Sequence, residues 1–283
     1  MDYEQRGGAW IHQTAEVHES VVLEPGVVIG PHSKIGRDCS IGANAVIGEH
    51  TTLGADNRVS ATAVLGGDPQ DASYAGETTR LEIGERNVFR EGVTINRGST
   101  KENFVTRVGN DNYFMAGSHL GHDVVVEDGC TFANGVLIAG HCHIATGANF
   151  AGSAAVVQFC TVGRLSFVGG MAGCRQDPEP FLIHDRSGPG SDPRARPTGV
   201  NKVGLRRAGV SDESIRHLMT AFRLLFGSSK VDPGAARAQL DAENALCDEV
   251  AELLEFVDRK RAGSFGRQKA VPKKAPEKDV KSS

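Results

Sequence analysis

The chain has 283 residues, a formal net charge of −4 and charged residues at 23% of the total. This mild acidity does not favour a nucleic-acid partner. No apolar run approaches the roughly 20 residues that a membrane-spanning helix needs. Residues 1–10 lack a basic segment followed by an apolar one, so no signal peptide is visible. The composition predicts a soluble cytoplasmic protein without a transmembrane segment.

An apolar side chain returns at every sixth position over most of the chain. The first run extends from Ile11 to Leu65, and the second runs from Val108 to Val168, usually with a small residue next in line. Period six fits neither an α-helix, with about 3.6 residues per turn, nor a strand alternating every 2 residues. It fits short strands joined by tight corners, with one apolar residue per side pointing inward and glycine relieving the turn. Hexapeptide repeats of this kind predict a parallel β-helix.

The period also predicts which residues are neighbours in space. Three six-residue sides close one triangular coil of eighteen residues, and coils stack at the strand spacing of about 4.8 Å. Residues eighteen apart therefore lie above one another. We predict a lead-in over residues 1–10 and a β-helix over 11–176, with loop excursions at 66–80 and 98–106. Loops that interrupt a regular repeat are usually functional.

The repeat ends before the C-terminal third of the chain. Residues 177–199 are rich in Pro and Gly and predict a linker or irregular cap. Residues 200–263 predict a helical domain, with one helix starting at Ser211 and a second one near Pro233 that carries apolar positions from Leu240 to Val257. Residues 264–283 lack apolar periodicity and predict a disordered basic tail.

The cysteines do not suggest a metal site. Six cysteines occur without a CxxC pair, and Cys142 and Cys160 are eighteen apart. We interpret them as small buried thiols in a reducing compartment. The sequence predicts no metal, no disulfide and no bound cofactor.

One ladder of residues on the second run can do chemistry. Adding eighteen to His122 gives Gly140, and another eighteen gives Gln158, with His141 beside Gly140. An imidazole with a pKa of about 6.5 can take a proton from a hydroxyl at neutral pH. A backbone N–H one coil above can stabilise an oxyanion. The pattern is typical of acyl transfer without a covalent intermediate, because no nucleophile-elbow motif is present. Histidines merely exposed on solenoid corners are the alternative that spacing leaves open.

A set of motifs in fixed order resembles one family over nearly the whole chain. They are Gln70–Glu77, Ile83–Asn87, Arg90–Gly98, His119–Asp123, Ile138–His141, Gln158–Cys160 and Gly199–Asn201. The chain resembles the UDP-N-acetylglucosamine O-acyltransferases that begin lipid A synthesis. The resemblance implies an all-β left-handed parallel β-helix followed by a small α-helical C-terminal domain. It also implies a homotrimer with active sites between subunits.

The resemblance implies a reaction and roles for individual residues. An R-3-hydroxyacyl chain would pass from the phosphopantetheine thioester of acyl carrier protein to the sugar 3-hydroxyl of the UDP-sugar. His122 would be the general base, Asp123 the carboxylate that follows it, and Gly140 the amide facing the thioester carbonyl. Gly170 would leave room for a longer acyl chain. The other residues implied to bind substrate are Asp71, Asn96, His119, His141, Gln158, Asn201, Arg206 and Arg207.

The chain departs from the family at several positions, and alternatives stay open. Asn96 stands where the family usually has His, Val157 replaces another usual His, and Ser73 replaces a common Lys. The basic cluster before Ala208 is one residue short of the familiar pattern. A 3-amino sugar nucleotide as acceptor, the sister glucosamine N-acyltransferase and a non-catalytic hexapeptide scaffold are the alternatives. The sister family usually carries an additional N-terminal domain, whereas here the repeats start at Ile11.

Overall fold

The computed structural model of the protein describes residues 2–186, 194–263 and residue 266. In chain order the first strands are β1 (Tyr3–Arg6), β2 (Ala9–His12), β3 (Glu16–Val17), β4 (Val22–Leu23), β5 (Val28–Ile29), β6 (Lys34–Ile35), β7 (Ser40–Ile41), β8 (Val46–Ile47), β9 (Thr51–Leu53), β10 (Arg58–Val59), β11 (Val64–Gly67), β12 (Arg80–Ile83), β13 (Val88–Phe89) and β14 (Thr94–Asn96). They are followed by β15 (Val105–Val108), β16 (Tyr113–Phe114), β17 (His119–Leu120), β18 (Val125–Val126), β19 (Thr131–Phe132), β20 (Leu137–Ile138), β21 (His143–Ile144), β22 (Asn149–Phe150), β23 (Ala155–Val156), β24 (Thr161–Val162), β25 (Phe167–Val168), β26 (Gly173–Cys174), β27 (Leu182–Arg186) and β28 (Ala195–Val200). The chain continues into helices α1 (Lys202–Arg207), α2 (Asp212–Phe226), α3 (Pro233–Ala242) and α4 (Asp248–Ala262).

The strands stack into three sheets that form the sides of a prism. The first sheet runs from β1 to β26 with 10 strands, the second from β28 to β4 with 10, and the third from β24 to β3 with 8. Partners in regular coils are eighteen residues apart, as in the parallel pairs Val28↔Val46 and His119↔Leu137. The predicted fold is therefore confirmed: a left-handed parallel β-helix followed by a small helical domain.

The inward positions of the repeat form one continuous core. A stack of phenylalanine rings runs through it, with centroids of Phe89, Phe114, Phe132 and Phe150 separated by 5.0, 4.5 and 5.1 Å. Each of these side chains is at most 1% exposed. The core also contains a coil made by β12, β13 and β14, which lies inside the interruption between the two predicted runs. The predicted β-helix over 11–176 includes this coil, which lies between the two predicted excursions.

The corners differ in detail from the sequence interpretation. The left-handed backbone conformation falls mainly on non-glycine residues such as Asp38 (φ 58°), Asn44 (φ 57°) and Asp56 (φ 59°), a conformation that Asn and Asp tolerate well. The glycine after the inward residue serves another purpose. A Cβ on Gly42 would lie 2.6 Å from the backbone nitrogen of Ala61 in the next coil, so this glycine permits close stacking.

Both ends of the solenoid contain strands that the sequence did not predict. In the lead-in, β1 pairs antiparallel with β2, and β2 continues the first sheet. The prediction of a linker over 177–199 is wrong for residues 182–186 and 195–199, because β27 pairs with β25 and folds back antiparallel onto β28. Phe181 and Leu182 are fully buried, and this burial holds a hairpin in place despite its Pro- and Gly-rich composition. Residues 187–193 lie outside the described ranges.

The excursions are shorter than predicted, because their ends join the sheets. Gly67 pairs with Asn96, and Arg80 pairs with Val105. The backbone groups at these four positions take part in strand pairing. The first excursion therefore covers residues 68–79, and the second covers residues 97–104. These two loops are the segments that leave the solenoid surface before the helical domain.

The helical domain packs its own small core against the end of the solenoid. The start of α2 is as predicted, since the Ser211 hydroxyl caps it by accepting a hydrogen bond from the Ser214 N–H. The second predicted helix is in fact two, α3 and α4, because Asn244 takes the left-handed conformation at φ 51° between them. The Lys260 ammonium on α4 donates to the Glu179 carboxylate at 2.7 Å, which links the two parts.

Three further sequence predictions concern features of the whole chain. None of the helices in the described ranges is long and apolar enough to cross a bilayer. Cys142 and Cys160 are buried cysteines with at most 1% of their surface exposed, and burial raises the pKa of Cys142 to about 12. The predicted disordered tail over 264–283 lies outside the described residues, except for residue 266.

The phenylalanine stack predicts a large loss of stability on truncation. Phe132→Ala should lower the free energy of unfolding by about 3–5 kcal/mol, since it removes a buried ring that has partners on both sides. Chemical denaturation at a fixed protein concentration measures this change. Val22→Ala is the control, because Val22 is 61% exposed and surface changes usually stay within about 0.5 kcal/mol. Equal effects of the two variants would contradict the assignment of the stack as the core.

Candidate active site

The corner between β17 and β18 carries a histidine–aspartate pair. His122 Nδ1 lies 2.7 Å from Asp123 Oδ2, and the Asp123 side chain is fully buried while that of His122 is 14% exposed. An ionised carboxylate only accepts hydrogen bonds, so Nδ1 is the donor and Nε2 is left as the basic nitrogen. The pair is therefore arranged as a base with its orienting acid.

The next coil places Gly140 against this imidazole, as the coil arithmetic predicts. A Cβ built on Gly140 would lie 3.0 Å from His122 Nε2, so a side chain at this position would press on the basic nitrogen. Within the described part of the chain, the Gly140 N–H has no hydrogen-bond acceptor. The amide is thus available to an oxygen placed beside the imidazole.

A second imidazole completes this corner. The His141 ring stacks on Phe159 at 4.6 Å and meets the His122 ring edge-on at 4.9 Å. His141 Nδ1 is 3.3 Å from Glu102 Oε1 and 3.8 Å from Asp123 Oδ2, and its side chain is only 5% exposed. The corner therefore holds two imidazoles near one buried carboxylate, to which His122 is hydrogen-bonded.

Buried donors hold the Asp123 carboxylate in its charged form. Burial by itself would raise the pKa of this carboxyl, but hydrogen bonds from His122 and from the Ser99 hydroxyl and N–H outweigh it. The pKa of Asp123 consequently ends below its usual value. The Asp123 N–H in turn donates to the Thr106 hydroxyl at 2.8 Å. Both side-chain and backbone groups of this residue are thus fixed.

A groove lies beside the base on the first sheet. It has a volume of about 640 Å³, and its apolar floor includes Leu137, Ala155 and Val157. His119 and Gln158 line it together with His122 and Gly140. His119 Nδ1 bonds the Thr94 hydroxyl at 2.8 Å, and burial, followed by the nearby His122, lowers the pKa of His119. An elongated apolar group can lie here with its polar end at the base.

The first excursion brings Asp71 into a charged contact with the second excursion. The Lys101 ammonium lies 2.6 Å from Asp71 Oδ2, and Ser73 donates to the other oxygen through its N–H and its hydroxyl. The hydrogen bond from Lys101, followed by those from Ser73, holds the pKa of Asp71 well below its usual range. Asn96 lies beneath the same excursion, where its amide nitrogen donates to the Asp68 carbonyl at 2.7 Å.

The remaining predicted residues lie elsewhere in the chain. Asn201 and Arg207 line a second cavity of about 640 Å³ over the second sheet. The Asn201 carboxamide caps α1, while Arg206 pairs with Asp212 at 2.9 Å. Gly170 lies on the corner between the second and first sheets, beside the Gly152 carbonyl. A single chain therefore does not bring all the predicted residues together.

Sequence reasoning missed the residues that support the site from behind. Ser99, Lys101 and Glu102 contact Asp123, Asp71 and His141 respectively. The only signal was that residues 98–106 interrupt the repeat, which marked the segment as functional without showing which side chains turn inward. Thr106 was missed because it lies in a strand and is fully buried.

Three groups at this corner could together hold a metal ion. Ligand atoms of His122, Asp123 and His141 lie within 4.8 Å of one another. The bond between His122 Nδ1 and Asp123 Oδ2 already uses one ligand atom from each residue. A metal ion bound through these atoms would have to break it. The arrangement suits proton transfer better than metal binding.

The buried carboxylate predicts a pH-dependent stability difference. A carboxyl whose folded pKa is depressed stabilises the fold above its unfolded pKa, about 3.9, and this contribution is lost as the pH falls through the folded value. Asp123→Asn should lower the free energy of unfolding by about 1–3 kcal/mol at pH 7. The deficit should begin to shrink below about pH 4, because the carboxyl of the unfolded wild-type chain takes up a proton there before that of the folded chain does. Denaturation at pH 7 and pH 3 measures it, and a deficit that is the same at both would contradict the prediction.

Comparison with known proteins places the chain in a family. The sequence profile described as "Udp N-acetylglucosamine O-acyltransferase; Domain 2" matches residues 189–265, and that of the bacterial transferase hexapeptide repeats matches residues 32–67 and 106–140. An acyl-[acyl-carrier-protein]--UDP-N-acetylglucosamine O-acyltransferase from Xylella fastidiosa is 39% identical over 88% of this chain and 94% of its own length. One from Anaeromyxobacter sp. (strain Fw109-5) is 41% identical over 73% and 78%.

Solved structures agree with the sequence matches. A UDP-N-acetylglucosamine acyltransferase from Bacteroides fragilis superposes with a TM-score of 0.83 at 32% identity, covering 90% of this chain and 97% of that one. The Francisella novicida enzyme gives a TM-score of 0.77 at 30% identity, covering 89% and 92%. The agreement extends from the solenoid into the helices. The chain belongs to the UDP-N-acetylglucosamine O-acyltransferase family.

Proposed function

We propose that the protein transfers an R-3-hydroxyacyl chain from acyl carrier protein to the 3-hydroxyl of UDP-N-acetylglucosamine, the first step of lipid A biosynthesis. The observation that carries the proposal is the His122–Asp123 pair held against Gly140 beside an apolar groove. Names of the relatives supply the substrates, since they describe acyl-acyl-carrier-protein and UDP-N-acetylglucosamine. We also place the enzyme in the cytoplasm, as its composition predicts.

The reaction follows from the geometry of the corner. His122 Nε2 takes the proton of the sugar 3-hydroxyl while the hydroxyl oxygen attacks the thioester carbonyl carbon. The Gly140 N–H donates to the oxyanion that forms. The C–S bond then breaks, and the phosphopantetheine sulfur leaves with the proton that His122 had taken. Asp123 stays ionised and stabilises the imidazolium between the two proton transfers.

Among the residues that the structure describes, no serine, threonine or cysteine lines the groove, so the acyl group passes directly from donor to acceptor. The Ser99 hydroxyl behind the base donates to Asp123 Oδ2 at 2.6 Å, and the residue is only 2% exposed. The Cys142 thiol is buried, with its pKa raised to about 12 by that burial, so it is not a thiolate at neutral pH. A covalent acyl-enzyme is therefore not part of the mechanism.

Substrate binding is assigned to the groups around the groove. Gln158 lines the groove, and Asp71 follows Gln70, which also lines it. Asp71 and Gln158 suit the sugar nucleotide and the phosphopantetheine arm. His119 and His141 supply further polar contacts from the same corner. Asn96 carries no charge, so its contact with the acceptor consists of neutral hydrogen bonds. Transfer assays by mass spectrometry, with both UDP-N-acetylglucosamine and its 3-amino analogue, test which acceptor is used.

The separation of the two cavities supports a homotrimer with shared sites. His122 borders the first sheet, whereas Asn201, Arg207 and the second cavity lie over the second sheet. These are different sides of the prism, so one chain cannot close a site from both. A three-fold assembly sets the first sheet of one subunit against the second sheet of the next. Asn201, Arg206 and Arg207 then face the groove of the neighbour.

The base predicts a large effect of a single substitution. His122→Ala should lower the turnover number by about 10² or more, since general-base help is typically worth about 10²–10⁴. The solenoid should stay folded, because the imidazole lies outside the inward ladder. Steady-state assays measure turnover, and denaturation of the same preparation checks the fold. Activity within a few-fold of wild type would exclude His122 as the base.

Shared sites predict complementation between inactive subunits. His122→Ala and Arg207→Ala should each be poorly active alone, but every mixed trimer contains one interface where both wild-type residues meet. Co-expressed and co-purified variants should therefore recover up to about one third of wild-type activity. Light scattering checks that the trimer forms. A stable monomer at micromolar concentration, or mixing without recovery, would overturn the shared site.

Gly170 predicts control of acyl length. A side chain there has room in the fold, since a Cβ would meet only the Gly152 carbonyl at 3.5 Å. We expect wild-type enzyme to accept a chain on the order of fourteen carbons, and a mismatch of four methylenes to cost about 3 kcal/mol in selectivity. Gly170→Met should shift the preference to donors with shorter acyl chains, while the transfer step at His122 is retained. Met171→Ala, at the 65% exposed neighbour, is the control, and a preference unchanged by Gly170→Met would show that another residue sets the length.

A further inference from the structure

The Asp123 carboxylate accepts two hydrogen bonds from Ser99, a residue of the second excursion. The Ser99 N–H donates to Asp123 Oδ1 at 2.8 Å, and the Ser99 hydroxyl donates to Asp123 Oδ2 at 2.6 Å. Both oxygens of the carboxylate are therefore engaged by Ser99, and Oδ2 is also the atom that accepts from His122 Nδ1. Two donors from one residue to two oxygens fix the plane of the carboxylate as well as its position.

The direction of the Ser99 hydroxyl is itself determined. The Lys101 N–H donates to Ser99 Oγ at 3.2 Å, so the hydroxyl oxygen accepts there and its hydrogen is left to point at Asp123. The Phe104 N–H donates to the Ser99 carbonyl at 3.2 Å, which closes the loop. Because Ser99 is only 2% exposed, solvent does not compete for either bond.

The same loop is attached on both sides of the site. Lys101 pairs with Asp71 at 2.6 Å, and Glu102 Oε1 lies 3.3 Å from His141 Nδ1. These contacts keep Ser99 from moving away from the carboxylate. The charged and titratable groups facing Asp123 are thus His122 on its own corner, His141 from the next coil and, through His141, Glu102 from the excursion.

We propose that Ser99 is a positioning residue for acyl transfer: it orients the Asp123 carboxylate so that His122 Nδ1 donates to it and Nε2 stays free as the base. The proposal rests on the proposed function, in which His122 takes the proton of the acceptor hydroxyl. Ser99 touches neither substrate nor the reacting atoms. It acts through Asp123 alone.

Loss of the hydroxyl has a defined consequence for proton affinity. With one donor fewer, the carboxylate keeps more negative charge toward His122, and it also binds a proton more readily itself. Both effects make the His122–Asp123 pair hold its shared proton more tightly. Because the two groups are coupled, the titration belongs to the pair and not to one residue. The unprotonated pair that acts as the base is then formed only at higher pH.

The test compares three variants of the full-length enzyme. Ser99→Ala should lower kcat about tenfold, the loss expected for a hydrogen bond to a charged group, with little change in KM for the UDP-sugar. The acidic limb of the kcat/KM profile should move up by about one pH unit. Ser99→Thr, which keeps the hydroxyl, should retain most of the activity. Thr100→Ala is the matched control, since the neighbouring Thr100 is exposed on the same loop.

A second measurement does not depend on turnover. NMR titration of 13C-labelled histidines follows His122 in wild type and in Ser99→Ala, and the same upward shift should appear there. A fall in kcat with an unmoved pH limb and an unmoved His122 titration would mean a merely structural role and overturn the proposal, as would an unchanged kcat. If His122→Ala keeps its activity, the proposed function fails instead, and the NMR titration still decides whether Ser99 tunes the pair.

Discussion

The eighteen-residue stacking of one coil on the next is the constraint on which the rest of the molecule depends. In the regular coils the parallel backbone hydrogen bonds follow the register seen in pairs such as His119↔Leu137, and the excursions only lengthen the sequence separation, as in Val88↔Tyr113. The same register delivers Gly140 to His122 without any long-range loop. The relative placement of the base and the amide, which other folds obtain from several separate elements, comes here from two coils stacked on each other. The base and the amide are accordingly held by the backbone pairing of two neighbouring coils.

The two excursions contribute what a regular coil cannot. A corner of the repeat offers one or two outward side chains, which is enough for a base and an amide but not for a second layer behind them. The segment 97–104 supplies that layer by covering Asp123, and the segment 68–79 adds Asp71 from the other side. Arg97, whose side chain is 3% exposed, ties the first excursion down through Glu49 and Asp68 at 2.9 and 2.6 Å.

The sequence was sufficient for those features that repeat and insufficient for those that do not. Period six predicted the solenoid, and adding eighteen to His122 correctly predicted its contact with Gly140. The hairpin at Leu182 was missed because its turn-rich composition masks two strands. The break at Asn244 depends on one left-handed residue within an apolar pattern that continues on both sides. Ser99 could not be identified, because whether a loop hydroxyl turns inward is decided by contacts distant in sequence.

Construction from stacked coils also limits how such an enzyme can diverge. A cavity that runs along the solenoid axis, like the groove floored by Leu137 and Ala155 on β20 and β23, has a length set by whole coils. Inserting or deleting one coil would change that length by one strand spacing, about 4.8 Å, with all inward residues kept in phase. Finer adjustment has to come from single side chains on the groove wall. In this architecture the size of the group that can be bound therefore changes in large steps of one whole coil. Smaller changes in that size come from substitution of single residues.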